Sequence, residues 1–596
     1  MSNLSPVGGG RGGVSYRTVR TQPVVFSTVD PHALFHANNV LWKTLDGGIH
    51  WKQISPDLTR KEWTPPKSIG KYLDQPGSQS RQLGVIYTIG PSYRDINRIW
   101  VGTDDGLIHT TADGGLNWTD VTPPQMAPFM KVFMIDPGRF DALTAYAAVN
   151  TLRLDDMRPH IYRTHDGGKT WTEIAAGLPD GAAVSVVRED PKKKGLLFAG
   201  SETQVYVSFD DGDHWQSLRL NMAPSSVRDL IIKDDDVVAA THGRGFWILD
   251  DITPLRQIDA KTADAEAMLF QPTTAWRVRW NTNSDTPLPP DEPNAPNPPE
   301  GAILNYYLKS PAAGPVTLEI LQSDGRLVRR YSSTDPVVPL PDPATSSLPL
   351  YWFRPPQILS TAAGMHRFMW DVHYQPLGGG SAGRGGLPSA AVPYNTAPSP
   401  TTPWVAPGNY TVKLTINAKS YTQPITVKQD PRVKTAPLVM QQVYLLTKAM
   451  YFGAVGAQAA AARVAAIRDQ VAKLGLQAQG AVAQALMDFD KRAAALQGAA
   501  PGGRGAGPGG RAGGPAGSTP APETLASVIA SLSGLMNTLQ SADVQPTANQ
   551  LAAITSAQQV AAGVMARYAA FKDLDLAAIN EKLKAAGLAI ITAPKE

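Results

Sequence analysis

The chain contains no cysteine, which removes disulfides and thiolate metal sites from its chemistry. It also lacks a charge imbalance. Lys and Arg number 55 against 51 Asp and Glu, a net of +4 over 596 residues. The basic residues form no run, so no nucleic-acid partner is expected. No segment is expected to span a bilayer. Residues 1–13 are polar and Gly-rich without an apolar h-region, so no signal peptide is expected in the chain as it stands. No His pairs with a carboxylate at metal spacing, and no Gly-rich phosphate loop follows a strand. Neither a metal nor a cofactor is expected. Gly (53) and Pro (51) are plentiful instead, as many turns and low-complexity linkers require. The length allows about three or four domains.

One octet is repeated. Thr44-Leu-Asp46-Gly-Gly48-Ile-His-Trp51 returns as Thr111…Asp113…Gly115…Trp118, as Thr164…Asp166…Gly168…Trp171 and as Ser208…Asp210…Gly212…Trp215. Four copies of hydroxyl-x-Asp-x-Gly-x-x-Trp in one third of a chain are a structural repeat. The Asp carboxylate suits an Asx-type turn, accepting from backbone N–H groups just ahead of it. The Ser or Thr offers a second local hydrogen bond. Gly supplies positive φ, and Trp is an apolar anchor past the turn. The octet therefore predicts a hairpin that stabilises the fold, with its carboxylate spent on backbone rather than on catalysis.

Short β-rich runs precede each octet. Val24–Phe26 leads to the first. Val85–Tyr87 and Arg98–Gly102 lead to the second, and Val132–Ile135 and Ala145–Ala147 to the third. Val184–Val187 and Leu196–Gly200 lead to the fourth. A partial fifth unit, Leu230–Ile232 and Val237–Ala240, ends in Thr241-His-Gly-Arg-Gly-Phe-Trp247 without an octet. Regular short strands with one turn signature per unit predict a β-propeller; an unrelated sandwich is the alternative.

The octets resemble Asp boxes, the BNR repeats of sialidases, xyloglucanase-type glycosidases and sortilin-type receptors. Ile54-Ser-Pro-Asp-Leu-Thr59, Arg188-Glu-Asp-Pro191 and Thr241-His-Gly-Arg-Gly-Phe-Trp-Ile-Leu-Asp-Asp251 resemble a narrower group, the bacterial sortilin-like or BNR-repeat glycosyl-hydrolase-like proteins. The resemblance covers residues 20 to 435 well. It implies a propeller followed by a β-sandwich and a helical tail, in a periplasmic or secreted protein. Members of that group begin with further blades. The expectation is thus a partial propeller, completed by missing N-terminal blades or by a partner chain; a small ring closed by these repeats alone is the third option.

The expected layout is mainly β: a Gly-rich start at 1–19, Asp-box propeller blades at 20–256, an immunoglobulin-like β-sandwich at 257–435, and a C-terminal α-helical bundle at 436–596. Within the sandwich, Phe270–Trp280, Ile303–Leu308, Val316–Leu321, Leu327–Tyr331, Gly364–Val372, Gly408–Ile416 and Tyr421–Val427 read as strands. Long loops are expected at 282–300 and 378–403. The tail has apolar residues every three or four positions from Val443 to Leu474. A Gly/Pro/Ala linker follows at 498–518, then a helix capped by Thr519-Pro520 and another over Thr547–Phe571.

Candidate ligand-binding residues are few. His242 and Arg244 stand between glycines, where the backbone can approach a ligand closely. Arg244 suits either a clamp on a carboxylate or phosphate or a bridge to the following domain. Arg153, Asp155 and Asp156 form a second candidate loop. Other carboxylates outside the octets are Asp104, Asp105, Glu189, Asp190, Glu202, Asp250 and Asp251; most suit turns. Two functions are open: a sortilin-like scaffold that binds a peptide, protein or glycan, and a sialidase- or xyloglucanase-like glycoside hydrolase with catalytic residues partly outside this chain. Catalytic residues cannot be named from spacing alone.

Overall fold

Every octet closes the same hydrogen-bonded turn. In the first copy the Thr44 hydroxyl donates to Asp46 Oδ1 (2.8 Å) and accepts from Gly48 N (3.0 Å), while Asp46 Oδ1 accepts from His50 N (2.9 Å). The same three bonds recur around Asp113, Asp166 and Asp210. These bonds span only two to four residues, so the local sequence suffices to form them.

This computed structural model describes residues 6, 16–62, 83–279, 301–377, 402–498 and 522–594, apart from isolated positions within 338–356, together with isolated positions in 289–299. Most of the expected start, the two sandwich loops and the 498–518 linker, together with Thr519, Pro520 and Trp280, lie outside the described residues. The chain divides into two compact units, Met1–Asp264 and Ala265–Glu596.

In the first unit each octet joins the third strand of a sheet to a short fourth. Sheet 1 is β1 (Val24–Phe26), β2 (Leu34–Ala37), β3 (Leu41–Thr44) and β4 (Lys52–Gln53). Sheet 2 is β5 (Ile86–Pro91), β6 (Ile99–Thr103), β7 (Ile108–Thr111) and β8 (Thr119–Asp120). Sheet 3 is β9 (Lys131–Pro137), β10 (Ala145–Asn150), β11 (His160–Thr164) and β12 (Thr172–Glu173). Sheet 4 is β13 (Val184–Glu189), β14 (Leu197–Ser201), β15 (Val205–Ser208) and β16 (Gln216–Ser217). Sheet 5 has three strands, β17 (Val227–Lys233), β18 (Asp236–Thr241) and β19 (Phe246–Leu249). All are antiparallel meanders, the blade pattern of a propeller. Four hydrophobic clusters join consecutive sheets, and none of the four joins sheet 5 to sheet 1.

The boundary of this unit falls later than residue 256. After β19, Ile252 is buried and Leu255 packs with it among sheets 4 and 5. Arg256, in the short helix α1 (Thr253–Gln257), binds Asp190 (2.9 Å) and Asp235. These contacts tie the segment to the first unit.

In the second unit the expected strand over Phe270–Trp280 is reduced, among the described residues, to Ala275–Arg277, and a separate strand precedes it in another sheet. β20 (Ala267–Leu269) joins β22 (Ala302–Leu308) and β25 (Gly364–Trp370). β21 (Ala275–Arg277) runs parallel to β27 (Lys419–Gln429), followed in order by β26 (Gly408–Ile416), β23 (Thr317–Gln322) and β24 (Leu327–Ser332). The helices do not form a separate core. Trp370, Leu414 and Ile425 of the sheets share one cluster with Val443, Leu532 and Phe571 of the helical region. Tyr374 and Tyr444 hydroxyls meet at 2.8 Å, and the Tyr451 hydroxyl donates to Gln375 O (2.7 Å).

The helices are α3 (Pro437–Gly475), α4 (Gly480–Gln497), α5 (Leu525–Leu539), α6 (Ala548–Ala570) and α7 (Leu576–Ala585), after a five-residue helix, α2 (Ala260–Asp264), that ends the first unit. Thr524 caps α5 and Thr547 caps α6, each through a capping box. α3 is long and apolar enough, by length and composition, to cross a membrane, which the sequence reading did not anticipate. Its Val443, Met450, Val464, Ile467 and Val471 are buried in the shared core, as in a core helix.

Candidate functional site

The first strands of sheets 2 to 5 share an irregularity. Their pairing with the second strand slips by one residue, leaving Tyr87, Phe133, Ser185 and Arg228 as bulged positions. A bulge re-aims the side chain of the extra residue. Tyr87, Phe133 and Arg228 line a cavity of about 940 Å³ bordered by residues of β1, β5, β9 and β17. Lys131 also lines it, two residues before Phe133.

The cations of this cavity differ in how fully they are neutralised. Arg188 binds Asp136 and Asp229, each at 3.1 Å. Arg139 lies 3.6 Å from the centre of the Tyr93 ring, whose hydroxyl donates to fully buried Asp136 (3.1 Å). Arg228 pairs with Glu202 at 3.1 Å. Lys131 has no carboxylate within ion-pair distance among the described residues. Its Nζ sits 3.3 Å from the centre of the Tyr87 ring and 4.8 Å from that of Phe133, a cation–π seat. Burial first, and the Arg153 charge second, lower its ammonium to about 8.

The expected ligand residues divide. His242 reaches the cavity lining, its backbone N–H donating to Ser226 O (2.8 Å). Arg244 does not. Its exposed segment is a turn from β18 to β19, closed by Thr241 Oγ1 donating to Gly245 O (2.7 Å). Arg153 turns to Asp104, donating to its backbone O at 3.1 Å and pairing with its carboxylate at 3.4 Å. Asp155 holds a left-handed φ of 59° at the end of a single helical turn. Asp156 is clasped by Arg158 (2.8 Å), which with neighbouring backbone holds its carboxyl at about 2.

Other carboxylates are engaged locally. Asp104 accepts from Val85 N, Asp105 from the Thr103 hydroxyl and Arg60 N, and Asp190 from Lys192 and Lys193 N. Glu189, buried and accepting from Arg139 N (2.7 Å), is raised to about 7 chiefly by desolvation. Asp251 accepts from Thr253 N at 3.1 Å.

Lys131, Tyr87, Phe133 and Arg228 were missed in the sequence. The available signal was an alternating Lys-x-Phe at the head of an inner strand; the register slip that aims these side chains depends on the partner strand.

No protein-family model matches the chain, and no curated protein matches it. Among solved structures it resembles an ancestral GH74 enzyme at 12% identity and a TM-score of 0.31, covering 55% of this chain and 39% of that one. The chain therefore spans about two-fifths of that protein. It resembles the GH74 xyloglucanase from Xanthomonas campestris at 14% identity and a TM-score of 0.30, covering 69% and 80% of the two chains. YCF48 bound to D1 peptide matches at 14% identity and a TM-score of 0.22, covering 40% and 85%. Scores this low transfer neither activity nor ligand.

Proposed function

We propose that the first unit is an Asp-box, sortilin-like propeller scaffold that binds an anionic peptide, protein or glycan in the cavity built by the bulged strands. The protein acts outside the cytoplasm, as a periplasmic or secreted binding protein, with an immunoglobulin-like sandwich and helices as its second unit. The observation that carries this reading is Lys131, held on two aromatic rings beside open space with no carboxylate at ion-pair distance among the described residues. Aromatic faces supply apolar contact, and an unneutralised ammonium supplies a charge for an anionic group.

The glycoside-hydrolase reading receives less support, because inverting hydrolysis needs two carboxyl groups about 6.5–9.5 Å apart and free to act. Asp104 and Glu202 are both committed to arginines here.

A panel of labelled anionic and neutral peptides and oligosaccharides tests the proposal. Anionic members should bind in a salt-sensitive manner, and Lys131→Met should weaken them about tenfold or more. Binding indifferent to Lys131→Met would sink the reading, and turnover of aryl glycosides would replace it with the hydrolase.

A further inference from the structure

The first unit contains a staple between neighbouring sheets. Trp118 Nε1 donates to Ile54 O (2.9 Å), Trp171 Nε1 to Val121 O (2.7 Å) and Trp215 Nε1 to Ile174 O (2.7 Å). In each case the octet Trp of one sheet reaches the aliphatic residue that follows the fourth strand of the sheet before it. That aliphatic is itself pinned to its own third strand, as by Ile54 N donating to Leu41 O (2.8 Å). Leu218 is the same position in sheet 4, with Leu218 N donating to Val205 O (2.9 Å). Sheet 5, which would staple onto Leu218, has no octet and, among the described residues, no fourth strand.

What stands there instead is a notch of about 60 Å³ lined by Leu218, Met222, Ala239 and Trp247, among others. Trp247 Nε1 is buried with no hydrogen-bond partner among the described residues. Beside the notch, edge strand β19 exposes Phe246 (78%) and Ile248 (59%). An unpaired apolar edge is a template for another strand.

We propose that this notch and the free edge of β19 receive an extended segment of a partner polypeptide, of the pattern Trp-polar-polar-aliphatic. Its Trp seats against Leu218, and its two polar residues pair with the backbone of Trp247 and Ile248. The pattern is that of the strands filling the four equivalent places: Trp51-Lys-Gln-Ile54, Trp118-Thr-Asp-Val121, Trp171-Thr-Glu-Ile174 and Trp215-Gln-Ser-Leu218. A second copy of this chain has no such strand to lend among its described residues, because β4, β8, β12 and β16 are each paired within their own sheets. The site is separate from the cavity and does not depend on what binds there.

The test uses the full chain and a labelled peptide with the sequence of residues 208–218. Fluorescence anisotropy should show saturable binding, with amide exchange slowed at residues 246–249. The same peptide with Ala in place of Trp should bind at least about tenfold more weakly. Ile248→Pro and Phe246→Asp in the full chain should each weaken binding while circular dichroism stays unchanged. The proposal is overturned by no binding at about 1 mM peptide, by equal binding of the Trp-less peptide, or by protection elsewhere. A concentration-dependent dimer lost in Ile248→Pro would assign the edge to self-association and overturn it as well.

Discussion

The octet carboxylates are exposed or half-buried, and their hydrogen bonds hold them well below the ordinary range: Asp113 and Asp166 both fall to about 2, the first chiefly through Asn117 N and the second chiefly through the Thr170 hydroxyl. A carboxyl depressed on folding adds stability above its unfolded value, near 3.9, and that contribution disappears as pH falls through the folded value. Stability should therefore decline between about pH 4 and pH 2. In Asp113→Asn the decline should be shallower, as read by chemical unfolding followed along a pH series. The second octet glycine carries a different burden. A Cβ at Gly168 would sit 2.8 Å from Val121 Cβ, the residue stapled by Trp171, and φ there is +88°. Gly181 has a similar φ of +85° but open space around it. Gly181→Ala should cost about 1 kcal/mol, from backbone strain alone. Gly168→Ala should lose a further 1–3 kcal/mol, roughly, from overpacking. Urea midpoints of the two variants separate the terms.

At the scale of elements, sheets in the first unit and the sheets and helices of the second both pack through apolar clusters, but the polar ties added to them differ. Sheets in the first unit meet through hydrophobic clusters, with one indole bond added at each junction among sheets 1 to 4, whereas β21 is held to the segment after α5 by charge. Arg277 and Arg279 both bind Asp543, at 3.0 and 2.8 Å, with Arg277 and Asp543 almost wholly enclosed. Burial lowers the Arg277 guanidinium to about 10. Removing one partner leaves a buried charge unpaired, so Asp543→Ala should cost about 3–5 kcal/mol. Trp404 lies 5.2 Å from the Arg277 guanidinium, so fluorescence-detected unfolding suits the measurement.

For the whole molecule, the division at Asp264/Ala265 predicts two calorimetric transitions. Trp215 is nearly buried between sheets 3 and 4, and Trp215→Ala should cost about 3–5 kcal/mol. That loss should lower one transition only. Asp543→Ala should lower only the other. A single transition shifted by both variants would show that the two units unfold as one.

The repeat, its four turns and the short-strand rhythm of the first unit were legible in the sequence. An Asx turn is made of atoms two to four residues apart, and such spacing is visible in a linear chain. The helical periodicity of α3 and the extent of α6, expected over Thr547–Phe571 and found at Ala548–Ala570, were legible for the same reason. The staples were not, because Trp118, Trp171 and Trp215 bond to carbonyls 64, 50 and 41 residues earlier. Nor was the cavity, since Tyr87, Phe133 and Arg228 face it only through slips in register against their partner strands. The merging of helices and sheets into one core in the second unit was hidden too: an apolar stripe declares that a face must be buried, and only the tertiary structure decides against what.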